Sequence, residues 1–251
     1  MHKLTFLSLT FFALTATLSA QNLQRVQIPV SQNGVLLQNA FAGGMNAPQF
    51  SYADLNNDGL KDLVVFDRVG EVWKTYLNNG SNSDMPYTFA PEYIKNMPKC
   101  TYWALLRDYN CDGIADMFTN RPNGVRVYRG FYQNNQLKFA LRNDDVRYKD
   151  PYTNFDTNMY VNQIDIPHIG DMDNDGDTDV VVYSAGGSYV EYYKNVSIEQ
   201  GFGCDSLYFK MADDCWGRFQ ESQLNSSITF SPRKDSCSGR DLFLMYSGAK
   251  V

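Results

Sequence analysis

Short apolar runs, rather than long ones, dominate the pattern of hydrophobic and polar positions along this chain. Residues 63–66 and 180–183 are two such runs, rich in Val and aromatic side chains and too short for helices, which favours strands. A glycine and then a second β-rich run follow each of them, and the same order recurs after Met117. This strand–turn–strand pattern predicts an all-β protein.

Each predicted strand pair is extended by one further β-rich segment on either side. The preceding segments are residues 49–53, 101–107 and 163–170, and the following segments are residues 87–89, 137–139 and 207–209. Pro167 suits an edge strand, because proline donates no backbone hydrogen bond. We therefore predict repeated units of four antiparallel strands.

An acidic motif lies between the first and second predicted strands of every unit. The pattern D-x-[DN]-x-D-G-x-x-D occurs at residues 54–62, 108–116 and 171–179, at intervals of 54 and 63 residues. Such a motif offers side-chain oxygens at positions 1, 3, 5 and 9, a backbone carbonyl at position 7, and a glycine for the sharp turn at position 6. Oxygen ligands suit calcium, whereas zinc and copper prefer histidine and cysteine.

Two other interpretations of the motif compete with calcium binding. An EF-hand needs flanking helices and a glutamate at position 12, where this chain has Val65, Thr119 and Val182. Plain turns held by Asp and Asn hydrogen bonds are the second alternative. Because converging carboxylates repel one another without a cation, we favour about three structural Ca2+ ions. The third motif has carboxylates at all four side-chain positions, so we expect it to respond most to calcium.

The charge balance agrees with bound cations. The chain has a net charge of -6 and no cluster of Lys or Arg, which argues against a nucleic-acid partner or an anionic membrane surface. Without residues 1–20 the chain has 21 Lys and Arg against 28 Asp and Glu, a net charge of -7, which three Ca2+ ions would bring to about -1. The hydrophobic share of 43% is enough to build a folded core.

The N-terminal segment has the features of a secretory signal peptide. Within residues 1–20, Lys3 precedes an apolar run that ends in Ser19 and Ala20. A membrane anchor is the alternative, but the run is too short to cross a bilayer. We therefore predict that residues 21–251 are secreted or displayed at the cell surface, with no membrane span.

Export permits disulfides, and the five cysteines leave at least one thiol unpaired within the chain. Cys100 and Cys111 lie at the two ends of one predicted strand, too far apart to bridge. Cys204, Cys215 and Cys237 are the better pool, with Cys215–Cys237 as one pairing. Sequence spacing leaves the choice open.

The three motifs together resemble the FG-GAP/VCBS repeats of integrin-type β-propellers and of many secreted bacterial proteins. The resemblance covers most of residues 45–215, and residues 103–113 are similar to surface proteins of Bacteroidota. It implies one four-stranded blade per repeat, calcium in each loop, and a role in adhesion or in binding a protein or glycan. The implied metal ligands are Asp54, Asn56, Asp58, Leu60 (carbonyl) and Asp62; Asp108, Asn110, Asp112, Ile114 (carbonyl) and Asp116; and Asp171, Asp173, Asp175, Asp177 (carbonyl) and Asp179.

Propellers of this family are usually seven-bladed, which requires a much longer chain. We therefore expect an incomplete β-propeller of three to four blades, with flanking β segments at residues 21–44 and 219–251. Residues 241–246 are predicted to form a strand that leads towards a further motif.

A non-enzymatic role is the preferred interpretation. His168 is the only histidine after the predicted signal peptide, and no G-x-S-x-G motif accompanies it. The alternative is a part of a calcium-dependent polysaccharide-degrading enzyme, either a lyase or a glycoside hydrolase. Aromatic side chains that can stack on sugars are Trp73, Trp103, Trp216 and Tyr192. Packing between blades is the simpler role for these residues.

Overall fold

The computed structural model describes residues 26, 28–83 and 86–231. The chain divides after Gln38 into two compact units. Within the first unit, β1 (Ser31–Gln32) and β2 (Val35–Leu36) pair as a short antiparallel hairpin. The signal peptide predicted over residues 1–20 and the strand predicted over residues 241–246 lie outside the described residues.

Three larger sheets and one hairpin make up the described part of the second unit. The first sheet has the order β3 (Pro48–Ala53), β4 (Asp62–Asp67), β5 (Val72–Asn78) and β6 (Tyr87–Phe89). The second has the order β7 (Ala104–Arg107), β8 (Asp116–Arg121), β9 (Gly124–Gln133) and β10 (Gln136–Asn143). The third contains β11 (Arg147–Lys149), β12 (Asp156–Asn158), β13 (His168–Gly170), β14 (Asp179–Tyr183), β15 (Val190–Asn195) and β16 (Phe209–Asp213). The hairpin pairs β17 (Phe219–Glu221) with β18 (Ile228–Phe230). The all-β prediction is therefore confirmed.

The third sheet has six strands rather than the predicted four. Its order is β12-β11-β16-β15-β14-β13, and β11 pairs with β16 in parallel, with Tyr148 opposite Phe209. Tyr148 also packs edge-on against Tyr193, with ring centroids 4.6 Å apart. The longer interval before the third motif thus supplies a hairpin that covers the free edge of β16, which would otherwise present unpaired backbone groups.

Several predicted strand boundaries are corrected by local backbone conformation. The strand predicted over residues 163–170 begins only at His168, because Asp165 N–H bonds to Asn162 C=O in a turn. The strand predicted over residues 101–107 begins at Ala104, after Tyr102 adopts a φ of 62°. A left-handed residue does not fit an extended ladder.

Helical structure among the described residues is limited to two 3-10 helices. They span Pro91–Asn96 and Trp216–Arg218. No helix in the described part of the chain is long and apolar enough to cross a membrane.

The second sheet is buried on both of its faces. On β8, Met117 belongs to a core shared with the first sheet, whereas Phe118 belongs to a core shared with the third sheet. Both side chains are fully buried. Successive residues of a strand point to opposite faces, so the alternating apolar positions of this sheet serve two different cores.

The strands that directly precede the three acidic motifs, β3, β7 and β13, are the first strands of the three repeats and lie side by side. Ala104 N–H donates to Gln49 Oε1 at 2.9 Å, and Leu106 N–H donates to Ser51 Oγ at 3.0 Å, which joins β7 to β3. Arg107 Nε donates to Ile169 C=O at 2.9 Å, which joins β7 to β13. These contacts place the first strands of consecutive repeats next to one another.

Candidate metal centres

The three acidic loops share one internal hydrogen-bond pattern. In each loop the glycine N–H at position 6 donates to the Asp at position 1, and the N–H at position 7 donates to the Asp at position 5. The first bond measures 2.8 Å at Gly59–Asp54, 2.8 Å at Gly113–Asp108 and 3.1 Å at Gly176–Asp171. The second measures 2.8 Å at Leu60–Asp58, 2.8 Å at Ile114–Asp112 and 3.1 Å at Asp177–Asp175.

The aspartate at position 9 begins the strand that follows each motif, which is the second strand of its repeat, and is completely buried. One of its oxygens accepts the N–H of position 2, and the other accepts an N–H from the third strand. For Asp116 these donors are Tyr109 at 3.1 Å and Gly130 at 2.8 Å. The equivalent donors are Leu55 and Asn78 for Asp62, and Met172 and Asn195 for Asp179. This carboxylate therefore ties the loop to the third strand.

Gly130 is required by this arrangement. A Cβ at Gly130 would lie 2.2 Å from the carbonyl oxygen of Ala115, a distance that no side chain permits. The close approach is what brings Gly130 N–H to Asp116.

Two positions in each loop have a left-handed backbone. The glycine at position 6 has φ values of 85°, 82° and 100° in the three loops, as the sequence predicts for the sharp turn. Position 4 is also left-handed, with φ of 61° at Asn57, 62° at Cys111 and 63° at Asn174. Asn tolerates this conformation better than most residues. Asn at position 4 of the first and third loops is therefore a further sequence signal of this loop conformation.

Burial shifts the acidity of the position-9 carboxylates. Desolvation raises the pKa of Asp116 to about 6, and the charges of Asp112 and Asp108 add to the rise. The pKa values of Asp62 and Asp179 are also raised, again mainly by desolvation. Backbone N–H donors act in the opposite direction without cancelling the effect. A nearby cation would stabilise the charged form.

The third loop brings three carboxylates within ligand distance of one another. One oxygen from each of Asp171, Asp173 and Asp179 lies within 4.8 Å of the other two. Oxygens that share one Ca2+ at 2.3–2.6 Å are separated by at most about 5 Å. The donor set and its spacing can therefore hold a metal ion of this kind.

In the first two loops an asparagine takes position 3 and contacts position 5. Asn56 Nδ2 donates to Asp58 Oδ2 at 2.8 Å, while Asn56 Oδ1 is buried and makes no hydrogen bond within the described structure. Asn110 Nδ2 donates to Asp112 Oδ2 at 2.9 Å, and Asn110 Oδ1 accepts Asp112 N–H at 3.2 Å. An unpartnered buried oxygen at a predicted ligand position fits a cation in the first loop.

Position 7 has an apolar side chain in the first two loops and a carboxyl group in the third. Leu60 and Ile114 have side chains without ligand atoms, so their carbonyls remain the predicted ligands. Asp177 has a buried carboxyl whose Oδ2 accepts Ile198 N–H at 3.2 Å and whose Oδ1 has no hydrogen-bond partner in the described structure. Desolvation raises the pKa of Asp177 to about 7.

Charged residues outside the motif also reach the loops. Lys194 on β15 pairs with Asp173, with Glu199 and, at 3.2 Å, with Asp175. Arg129 on β9 lies 3.3 Å from Asp112 in the second loop. Sequence reasoning missed these residues because they are contributed by a different strand from the motif.

A disulfide joins the second loop to the third repeat. Cys111, at position 4 of the second loop, is bonded to Cys204. The Sγ atoms lie 3.4 Å and 3.7 Å from the Gly176 carbonyl oxygen of the third loop. The expectation that the late cysteines pair among themselves is therefore wrong for Cys204, because packing brings neighbouring repeats together. Cys100 is buried and free, as at least one thiol had to be. Cys215 is disulfide-bonded, and Cys237 lies outside the described residues.

The aromatic residues considered for glycan stacking have different environments. Trp73 donates its indole N–H to Pro98 C=O at 3.0 Å and packs on Phe66, and Trp103 is fully buried, so both serve packing. Tyr192 donates its hydroxyl to Asp179 at 3.0 Å. Trp216 stays partly exposed.

No protein-family model and no curated protein matches the sequence. Among solved structures, the chain is similar to a lectin of Agrocybe aegerita described for its specific recognition of non-reducing terminal N-acetylglucosamine. The identity is 18% and the TM-score 0.35, over 67% of this chain and 39% of the lectin chain. This chain thus matches well under half of the lectin's length, at a similarity that assigns neither fold nor ligand.

Proposed function

We propose that this chain is an exported, calcium-binding segment of an FG-GAP/VCBS-type β-propeller that binds an extracellular protein or glycan without catalysing a reaction. The observation that carries the proposal is the repetition of one hydrogen-bond pattern in three acidic loops. Each loop connects the first and second strands of its repeat. Identical geometry in three copies indicates one shared purpose, which we assign to structural Ca2+ ions.

The arrangement of the sheets supports the propeller. Neighbouring sheets pack face to face through two separate cores, and the second sheet is buried on both faces. The first strands of successive repeats are linked by hydrogen bonds that Gln49 and Ser51 accept and by one that Arg107 donates. Blades of a propeller have this relationship around a central axis. With three motif-bearing sheets, the chain supplies part of the ring.

The ligand chemistry supports calcium. The third loop gathers three carboxylates within 4.8 Å, and the first leaves Asn56 Oδ1 buried without a partner. Bound Ca2+ supplies positive charge that offsets the repulsion between these oxygens, and it would be held by the motif residues named above. The carboxylate at position 9 already joins the loop to the third strand, so an ion there would stabilise the whole sheet.

The disulfides support export. Cys111–Cys204 and the bonded Cys215 are typical of proteins that fold in an oxidising compartment. Their presence agrees with the signal-peptide features of residues 1–20.

The non-catalytic part of the proposal is supported by the use that the fold makes of its acidic residues. The carboxylates at positions 1, 5 and 9 accept backbone N–H bonds in every loop. Loop architecture therefore accounts for their spacing, and no acid–base pair is needed to explain it.

Calcium is expected to raise the melting temperature of the purified chain relative to the same sample in chelator. An ion present at 100 times its Kd stabilises the folded state by about 2.7 kcal/mol. Differential scanning calorimetry with Ca2+ and with EDTA measures this shift. Asp175→Ala should reduce the shift, whereas Asp144→Ala, on a solvent-exposed ion pair with Arg126, should not. Melting curves that ignore calcium would contradict the proposal.

Incubation with polysaccharides distinguishes the binding module from the alternative enzyme. We expect retention of the chain on an immobilised ligand without any release of unsaturated or reducing sugar ends. A glycan array and an extracellular-protein pull-down identify the ligand class, and a reducing-end assay monitors cleavage. Calcium-dependent product formation would instead favour a lyase or hydrolase.

A further inference from the structure

The third strand of each repeat, β5, β9 or β15, has a residue of different charge at the same position. Asn78, Gly130 and Asn195 are equivalent, because each donates its N–H to the position-9 carboxylate of its own loop. The residues immediately before them are Leu77, Arg129 and Lys194. The first loop therefore has an apolar side chain at this position, while the second and third loops have a cation.

The two cations contact the predicted metal ligands to different extents. Arg129 Nη2 lies 3.3 Å from Asp112 at position 5, and its Nη1 lies 3.3 Å from Asp205, which is outside the motif. Lys194 instead contacts two motif carboxylates, Asp173 at position 3 and Asp175 at position 5. Lys194 contacts two predicted metal ligands and Arg129 contacts one, so the Lys194 ammonium is the better substitute for a bound cation.

The Lys194 ammonium lies in a pocket of negative charge. Asp173, Asp175 and Glu199 surround it, and its side chain is only 22% exposed. The same three carboxylates lie within 4.8 Å of one another and form a second acidic cluster that shares Asp173 with the cluster of Asp171 and Asp179.

These carboxylate oxygens cannot bind an ammonium group and a divalent ion together as strongly as they bind either cation alone. Each of the shared carboxylates would have to divide its charge between two cations that repel each other. Removal of the lysine would leave the oxygens in place and take away the competitor.

We propose that Lys194 is a built-in competitor for metal at the third loop: it holds Asp173 and Asp175 together when no metal is bound and lowers the affinity of the loop for Ca2+. This inference rests on the proposed calcium-binding function. The third loop then combines the largest number of motif carboxylates with the strongest internal counter-charge. Lys194 therefore raises the calcium concentration that is needed for Ca2+ to displace its ammonium group from these carboxylates.

Isothermal titration of the full purified chain with CaCl2 tests the role of Lys194. Lys194→Met keeps the length of the side chain and removes its charge, and we expect one binding step to tighten by about tenfold. In EDTA the same variant should melt at a lower temperature than the wild type, because three carboxylates lose their counter-charge. The combination with Asp171→Asn should abolish the tightened step, which assigns that step to the third loop.

Lys210→Met is the matched control. Lys210 lies directly opposite Lys194 on β16, and its ammonium is 5.8 Å from the centre of the Tyr208 ring. The control therefore removes the same charge from the same sheet face and should leave the calcium titration unchanged. Lys194→Gln, which retains a polar side chain, replaces Lys194→Met if the latter does not fold in EDTA.

The outcomes separate this inference from the function on which it rests. If the wild type binds Ca2+ and both Lys194 variants bind it equally or more weakly, the competitor role is wrong while calcium binding stands. If Lys210→Met tightens binding as much as Lys194→Met, the effect is general electrostatics and the competitor role is also wrong. If neither the wild type nor either Lys194 variant responds to Ca2+, both proposals fail.

Discussion

Removal of the Cys111–Cys204 disulfide is expected to lower the free energy of unfolding by about 4 to 5 kcal/mol. The bond connects residues 93 positions apart, and in the chain-entropy account a closed loop of that length restricts the unfolded chain by about this amount. It also holds the second acidic loop against Gly176 of the third. Urea unfolding monitored by tryptophan fluorescence measures the change.

The choice of substitution separates the disulfide from the backbone conformation. Cys111 has a φ of 62°, close to the 61° of Asn57 and the 63° of Asn174 at the same position of the other loops. Cys111→Asn with Cys204→Ser therefore removes the bond and retains a residue suited to that φ. Cys111→Ala with Cys204→Ser adds the backbone cost. A loss below about 1 kcal/mol in the Asn variant would show that packing alone holds the two repeats together.

Asp116→Ala is expected to destabilise the chain by about 3 to 4 kcal/mol in the absence of calcium. The side chain is fully buried, and its two oxygens accept Tyr109 N–H at 3.1 Å and Gly130 N–H at 2.8 Å. Alanine leaves both donors buried without a partner, at a cost of about 1 to 3 kcal/mol each. Urea unfolding in EDTA measures this loss at pH 5 and at pH 8. Burial raises the pKa of Asp116 to about 6, so the wild type loses stability as the pH rises through that value, and the difference from Asp116→Ala should be larger at pH 5 than at pH 8.

Two further variants show how much of the loss comes from the buried hydrogen bonds. Asp116→Asn keeps one acceptor oxygen and should lose roughly half as much stability as Asp116→Ala. Asp144→Ala removes an exposed carboxylate paired with Arg126 and should cost less than about 1 kcal/mol. Equal losses for Asp116→Ala and Asp144→Ala would mean that the buried hydrogen bonds do not hold the loop to the third strand.

The local units of this protein follow from short-range features of its sequence. Short β-rich runs separated by glycine predict hairpins, because side-chain alternation and turn residues act over a few positions. The acidic motif predicts where each loop lies and which oxygens it offers, and the all-β class follows from these local signals. Metal ligation by those oxygens remains a prediction for the experiments above.

The contacts between units become visible only in the folded chain. The pairing of β11 with β16, the disulfide between Cys111 and Cys204, and the position of Lys194 among Asp173, Asp175 and Glu199 all join segments from different strands or repeats. No local pattern encodes such contacts, because they depend on how the faces of neighbouring sheets pack together. The charge near each loop also depends on the tertiary structure. The third strand of each repeat lies beside the loop and brings Leu77, Arg129 or Lys194 to it.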